Sequence, residues 1–343
     1  MQYVGLDVHK KFTYASVIDD KGNVVMEDKF QSSIEGLDKF LDKVEKNTEF
    51  VMEASSVWQH LYDHLEFNGF AVKLAHPLKT RAIAEARIKT DAIDARTLAQ
   101  LLRANLISES YVPIMDVRVE RSITRHRASL VRIRTQIKNK IHAILRRHGI
   151  QYEFSDLFGK SGIEFLRNVD IPAYSRYELD HYLTLLRVLN YKIEDSSKQI
   201  EALKKENPQA QLLTTIPGIS DYSALLIMAE IGDIRRFKTA EHLCSYAGLV
   251  PSTYQSGNTS YHGKITKQGS KWLRWILIQA ANKAITRENA LQRFYKRLEA
   301  KKGRKMLTYI HAMLTLNLKF DELQVNKNNG DRATRFFINR NGC

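Results

Sequence analysis

Four acidic residues stand where the surrounding sequence gives little reason for an acid. Asp7 interrupts the strand-like run YVGLDV, Glu53 ends the apolar run FVME, and Asp91 and Asp94 lie three apart in KTDAIDARTLAQLL. A lone carboxylate on a buried strand is costly unless it is paired or bound to a metal. The i, i+3 spacing puts Asp91 and Asp94 on one face of a helix whose other face carries Ile93, Leu98 and Leu101. Hard oxygen donors on two strands and a helix fit one or two Mg²⁺ ions. Such ions activate a nucleophile and stabilise the leaving oxygen in phosphodiester chemistry. The plainer reading is that Asp91 caps its helix and Asp94 pairs with Arg87 or Lys89.

A second group offers a nucleophile. The segment 250–275 holds Ser252, Thr253, Ser256, Thr259 and Ser260 together with Lys264, Lys267, Lys271 and Arg274. A hydroxyl among cations can attack phosphorus while the cations stabilise the developing charge. An ordinary polar surface loop has the same composition. His60 and His64 have the helical spacing of a metal pair but lack a Glu or Cys in a zinc pattern, so they read as a solvated face. Gly257 to Lys264 is not a phosphate loop, because five residues separate its glycines and Ile265 replaces the needed hydroxyl. Nucleotide hydrolysis is excluded on that ground. Ile216-Pro217-Gly218-Ile219 has the look of a helix-hairpin-helix turn, whose amides hold a DNA phosphate, although Ser220 replaces the usual second glycine. A simple tight turn fits equally well.

The elements that must position these groups change character along the chain. QYVGLDVH, KFTYASVID and NVVMEDKFQ read as three strands, with Asp20-Lys21-Gly22-Asn23 as a hairpin turn. A helix over 33–46, the strand FVMEA, a helix over 56–68 and the strand FAVKLA follow. The order β-β-β-α-β-α-β is that of an α/β ribonuclease-H-like domain, in which the first strand lies beside the one after the first crossover helix. Asp7 and Glu53 then converge at one sheet edge. Beyond Pro113 the pattern is of long helices. Ile123, Leu130, Ile137 and Ile144 recur every seven residues, as do Leu179, Leu186, Ile193 and Ile200, and beside them Tyr182, Leu189, Ser196 and Leu203. These tracks predict a coiled-coil hairpin that packs on itself or contributes to dimerisation. A mainly α-helical last domain opens at LLTTIPGIS, with helices near 221–232, 238–246, 270–286 and 303–319 and the polar loop between. The expected division is therefore 1–112, 113–207 and 208–323, with a polar tail over 324–343.

Charge follows the same division. The chain has 343 residues and a formal charge of +15. The net is −3 over residues 1–115, +8 over 116–150, −2 over 151–207 and +12 over 208–343. Two basic blocks beside an acidic first domain suit a cation-binding module flanked by modules that hold phosphates. Arg125, Arg127, Arg132, Arg134 and Lys138 on the helical rod, with Lys264, Lys267, Lys271 and Arg274 beyond it, are the candidate nucleic-acid contacts. Ordinary solvated faces are the alternative. Two cysteines, Cys244 and Cys343, make neither a disulfide framework nor a zinc site. With no signal segment and no spanning apolar run, the expectation is a cytosolic protein without a membrane partner.

In order, GLDVHK, VMEAS, KTDAIDA, TIPGIS, AGLVP, YQSG and KQGSKWLR resemble the transposases of the insertion-sequence "one-ten" family, over nearly the whole chain. The resemblance implies a RuvC-like domain with a DEDD tetrad, a coiled-coil linker and a C-terminal transposase domain bearing a catalytic serine. Carried onto this sequence, the tetrad is Asp7, Glu53, Asp91 and Asp94, and the serine is Ser256. Gln255 stands where the family often has serine, so Ser260 remains in view. The resemblance further implies Mg²⁺ at the tetrad and a phosphoserine link to DNA. It implies a dimer or tetramer in which the RuvC-like domain of one subunit and the transposase domain of another compose each site. It also implies a structured noncoding guide RNA, a bridge RNA, that pairs with donor and target DNA. A RuvC-like junction resolvase without serine chemistry and a noncatalytic nucleic-acid scaffold are the competing readings.

Overall fold

Strand-favouring residues and tight turns build the first three strands, β1 (Tyr3–Val8), β2 (Phe12–Ile18) and β3 (Val24–Gln31). Between β2 and β3 the Asp19 carboxylate accepts hydrogen bonds from the amides of Lys21 (2.9 Å) and Asn23 (2.8 Å). Gly22 takes the left-handed conformation, φ 87°, that the reversal requires. Helix α1 (Ile34–Leu41) starts at Ser33, whose hydroxyl accepts from the Gly36 amide, and it buries Leu37 and Phe40. It is shorter than the expected 33–46. After Leu41 the charged run Asp42 to Asn47 offers only Val44 for burial, and the amides of Lys43 and Val44 bond back to Phe40 and Leu41 in tight turns. Then come β4 (Glu49–Glu53), α2 (Gln59–Phe67), β5 (Ala71–Ala75), α3 (Pro77–Ile83) and α4 (Asp91–Arg103). The computed structural model describes residues 1–84, 90–256, 259–286, 288–289, 291–293, 310 and 314. Its chain divides into two compact units, Met1–Val112 and Pro113–Cys343.

The first unit is a mixed α/β sheet domain with strand order β3-β2-β1-β4-β5. β1 runs antiparallel to β2 and parallel to β4, and β4 is parallel to β5. Val4, Leu6, Phe50, Met52 and Leu74 form one sheet face and pack with Leu37, Phe40, Leu61 and Leu65 from α1 and α2. On the other face Val51 and Ala75 pack with Leu98 and Leu102 of α4. Strand alternation therefore turns Gly5, Asp7 and Glu53 toward α4. A Cβ on Gly5 would lie 2.0 Å from the Ala95 carbonyl oxygen and 2.6 Å from the Ala99 amide nitrogen. Helix and strand thus meet backbone to backbone, and only glycine allows it.

In the second unit α5 (Met115–Arg147), α6 (Lys160–Asn168) and α7 (Ala173–Glu206) precede α8 (Pro208–Leu213), α9 (Asp221–Ile231) and α10 (Ala240–Tyr246). A hairpin of β6 (Pro251–Ser256) and β7 (Thr259–Ile265) and the helix α11 (Lys271–Ala284) follow. The two long helices pack on each other. Arg147 reaches Glu178 (3.3 Å), Arg134 reaches Asn190 (3.3 Å) and Arg127 reaches Ser197 (2.8 Å), so they run antiparallel. Leu179, Leu186, Ile193 and Ile200 are buried along α7, as a sevenfold apolar repeat requires. Beyond them the core centres on α9, buried from Ser223 to Ile231. Within it the carboxylate of Glu230, 1% exposed, accepts from Arg125 Nε (2.7 Å), Arg125 Nη2 (3.0 Å) and Ser270 Oγ (2.8 Å). Ser270 also caps α11 by accepting from the Leu273 amide.

One expectation needs correction: the polar segment after Pro251 is a β-hairpin rather than an irregular loop, with Ser256 paired to Thr259 and Tyr254 to Tyr261. Thr253, Tyr254, Thr259 and Tyr261 are strand-favouring residue types, and they support pairing despite the low hydrophobicity. The helix expected over 303–319 and the tail lie outside the described residues, apart from Ile310 and Leu314. Among the described residues no helix is long and apolar enough to cross a membrane.

The close approach at Gly5 makes a direct prediction. Gly5→Ala should destabilise the fold by about 3 kcal/mol, at the upper end of overpacking costs. The check is the denaturant midpoint of the first-unit transition, which a merely exposed glycine would leave in place.

Candidate active site

β1 and β4 pair in parallel with Leu6 opposite Met52, so Asp7 and Glu53 take the next positions on neighbouring strands about 4.8 Å apart. Both lie at the carboxyl ends of their strands, on the face that α4 covers. That helix begins at Asp91. Its cap is Thr90, whose hydroxyl accepts from the Ile93 amide (3.2 Å), so Asp91 is not spent on capping. The carboxylates of Asp91 and Asp94 fall in the first turn, where the helix dipole favours negative charge.

A residue outside the expected tetrad joins them. His9 Nε2 lies 3.0 Å from Asp7 Oδ2 and 3.3 Å from Asp91 Oδ1. One ligand atom from each of Asp7, His9 and Asp91 falls within 4.8 Å of the others. Burial pushes the Asp7 carboxyl above its ordinary value, His9 pulls it back, and the charges of Asp91 and Asp94 raise it again. Among the described residues, neither Lys nor Arg forms an ion pair with Asp7, Asp91 or Asp94. Arg87 and Lys89, the partners weighed for Asp94, lie outside the described residues. Glu53 and Asp94 flank the tight group without belonging to it. The signal for His9 was present in GLDVHK: it follows Asp7 by two, one residue beyond the end of β1. Asp7, Asp91 and Asp94, oxygen donors without a Lys or Arg ion pair among the described residues, fit a divalent metal ion together with His9.

The candidate nucleophile lies in the second unit. Ser256 ends β6 and is exposed. Ser260 pairs with Gln255 in the hairpin. On the face of Ser256, Tyr254 and Tyr261 are exposed with rings 6.4 Å apart. Gly257 and Asn258 lie outside the described residues.

The expected nucleic-acid contacts divide by how far the fold already uses them. Arg125 holds Glu230. Arg127 donates to Ser197 and lies 4.2 Å over the Tyr222 ring; burial lowers its pKa and pushes the Tyr222 hydroxyl up to about 12. Arg134 meets Asn190. Lys138 lies 4.4 Å over the Phe158 ring, where burial lowers its pKa. Arg274 donates to the carbonyls of Ala247 (3.0 Å) and Lys267 (3.2 Å), holding the segment before α11. Arg132, Lys264, Lys267 and Lys271 are exposed. His60 and His64 serve separate partners, the Ser32 carbonyl (3.1 Å) and Asp38 (2.5 Å). In the TIPGIS turn Gly218 has φ 89° and abuts the α11 backbone, and Ser220 caps α9.

Two family models match separate stretches of the chain. A DEDD transposase model of IS110 type matches residues 4–150, and the transposase IS116/IS110/IS902 family matches residues 210–296. Together they span more than half of the chain and include the four acids and Ser256. The chain is 27% identical over 321 residues to the transposase for insertion sequence element IS1328 of Yersinia enterocolitica, covering 91% of this chain and 89% of that protein. It is 28% identical over 242 residues to the transposase for IS1111A of Coxiella burnetii, covering 67% and 64% of the two chains. A pilin gene-inverting protein of Moraxella lacunata is 26% identical over 341 residues, covering 93% and 98%. With both family models matched in order and relatives aligned along most of its length, the chain belongs to the IS110 family of insertion-sequence transposases, enzymes that cut and rejoin DNA.

Proposed function

We propose that this chain is an RNA-guided DNA recombinase acting on its own mobile element, with a metal-binding tetrad and a serine nucleophile. The observation that carries the reading is the gathering of Asp7 and Asp91 around His9, with Glu53 and Asp94 beside them and without a Lys or Arg ion pair at Asp7, Asp91 or Asp94. The sheet domain is read as ribonuclease-H-like, the α5–α7 hairpin as the coiled-coil linker and the remainder as the transposase domain. Asp7, Glu53, Asp91 and Asp94 hold a divalent ion, Mg²⁺ on this reading. Bound there, such an ion would supply Lewis-acid polarisation of a phosphate and charge stabilisation at a leaving oxygen. Ser256 Oγ gives up its proton to a base and forms a bond to phosphorus as the phosphorus–oxygen ester bond breaks. The leaving oxygen departs as a hydroxyl after taking a proton. The phosphoserine ester keeps the bond energy, so a second DNA hydroxyl can displace the serine and no ATP is needed.

The exposed cations Arg132, Lys264, Lys267 and Lys271, with the other candidates as second contacts, hold RNA and DNA backbones. Base pairing to a structured noncoding RNA supplies sequence choice, as in other guided systems. The name of the Moraxella relative, a gene-inverting protein, agrees with strand rejoining. Tyr177, Val188 and Tyr191 are exposed on the side of α7 away from its buried track, which supports a second copy of the chain as partner.

The chemistry is tested by incubating the protein with a divalent ion, element-derived RNA and labelled DNA, then denaturing. A covalent protein–DNA adduct should form, need the RNA, and fall at least a hundredfold in Ser256→Ala and in Asp91→Ala. Clean cleavage that survives Ser256→Ala would instead point to a resolvase. Light scattering on the same protein should read at least two chains; a monomer in the active sample contradicts the oligomer.

Asp7 supplies a separate prediction about stability. Its folded pKa is raised above the ordinary 3.8, so at neutral pH its charge works against folding. The loss sets in as pH rises through 3.8 to the raised value. Asp7→Asn should therefore raise the metal-free melting temperature at pH 7, with the gain shrinking as pH falls toward 3.8. A lower melting temperature at pH 7 would mean that the carboxylate is a structural group.

A further inference from the structure

The proposed centre counts four carboxylates, yet an imidazole lies within 3.0 Å of Asp7 and 3.3 Å of Asp91. We infer that His9 is itself a metal ligand, and that its nitrogen makes this site prefer a first-row transition ion such as Mn²⁺ over Mg²⁺. The inference rests on the proposed metal centre and deepens it.

Three observations carry it. First, the spacing is right for ligands that share an ion. Metal–ligand bonds of about 2.1 Å meeting at right angles separate neighbouring donor atoms by about 3.0 Å. His9 Nε2 lies 3.0 Å from Asp7 Oδ2 and 3.3 Å from Asp91 Oδ1. Second, the ring is held. The His9 amide donates to the Phe12 carbonyl (3.0 Å) in the β1–β2 turn, and the Phe12 ring lies 5.0 Å from the imidazole. A side chain that merely screened charge would need no such support. Third, strand geometry and helix packing deliver the three donors independently. Asp7 and His9 come from one strand end at i, i+2, and Asp91 comes from the first turn of α4, brought in by the contact at Gly5.

Donor chemistry sets the preference. Mg²⁺ favours oxygen and keeps much of its water, whereas an imidazole nitrogen adds affinity for transition ions. A His9 that acted only as a hydrogen-bond partner of the two carboxylates would have to leave when the ion binds. Its removal would then strengthen binding or leave it unchanged.

The test uses the untagged full-length chain and Mn²⁺ or Mg²⁺ alone, without nucleic acid. Mn²⁺ binding is read by electron paramagnetic resonance, with pulsed detection of ¹⁴N coupling to the bound ion, and both ions are titrated by calorimetry. The wild type should show one directly coupled nitrogen. His9→Ala should lose that coupling and weaken Mn²⁺ by at least about tenfold, while Mg²⁺ changes by less than about threefold. His9→Gln guards against a packing effect and should behave like His9→Ala. Bound Mn²⁺ without nitrogen coupling, or variants that bind Mn²⁺ as tightly as wild type, would overturn the role of His9 and leave the carboxylate site standing. A wild type that binds neither ion would overturn the metal centre as well.

Discussion

The arrangement depends on one steric constraint, the contact of α4 with β1 at Gly5. With any side chain at that position the helix would have to lift away from the sheet. Asp91 and Asp94 would then retreat from Asp7, and the strand and helix carboxylates would cease to form one group. The contact is held from both sides: Leu98 and Leu102 anchor the helix on Val51 and Ala75, while the opposite sheet face is filled by α1 and α2. A sheet clamped between two helical layers can keep like charges together that would otherwise drift apart.

Keeping them together opposes stability. Asp7 is partly buried, has two further acids near it, and among the described residues has His9 as the hydrogen-bonding partner of its carboxylate. The contrast with Glu230 in the second unit is instructive. That carboxylate is more deeply buried, yet Arg125 and Ser270 satisfy it fully, and it serves to tie α5, α9 and the start of α11 together. One acid has its charged partner within the fold; the other, on the proposed reading, would find its counter-charge in a metal ion. Such a difference separates structural from functional acids more clearly than burial does.

Much of this was legible in the residues. Strand alternation and the β-β-β-α-β-α-β order gave the sheet, and with it the adjacency of Asp7 and Glu53, because side-chain period and crossover topology leave few choices. The sevenfold tracks of α7 likewise announced the helical hairpin. His9 was passed over because its spacing of two from Asp7 gains meaning only when α4 brings Asp91 to it. The β6–β7 hairpin was missed because its strands are polar on both faces, so no apolar alternation marks them. The use of Arg125 and Arg127 inside the fold was hidden for a related reason. A count of basic residues does not distinguish a solvated guanidinium from one folded against Glu230 or Tyr222.

The central claim is that two strand ends and one helix start form a single metal centre. It is tested most directly by anomalous diffraction from crystals of the full chain soaked in Mn²⁺. The account predicts a manganese peak within about 2.3 Å of carboxylate oxygens of both Asp7 and Asp91. A peak confined to other residues, or none at this sheet edge at saturating Mn²⁺, would contradict it.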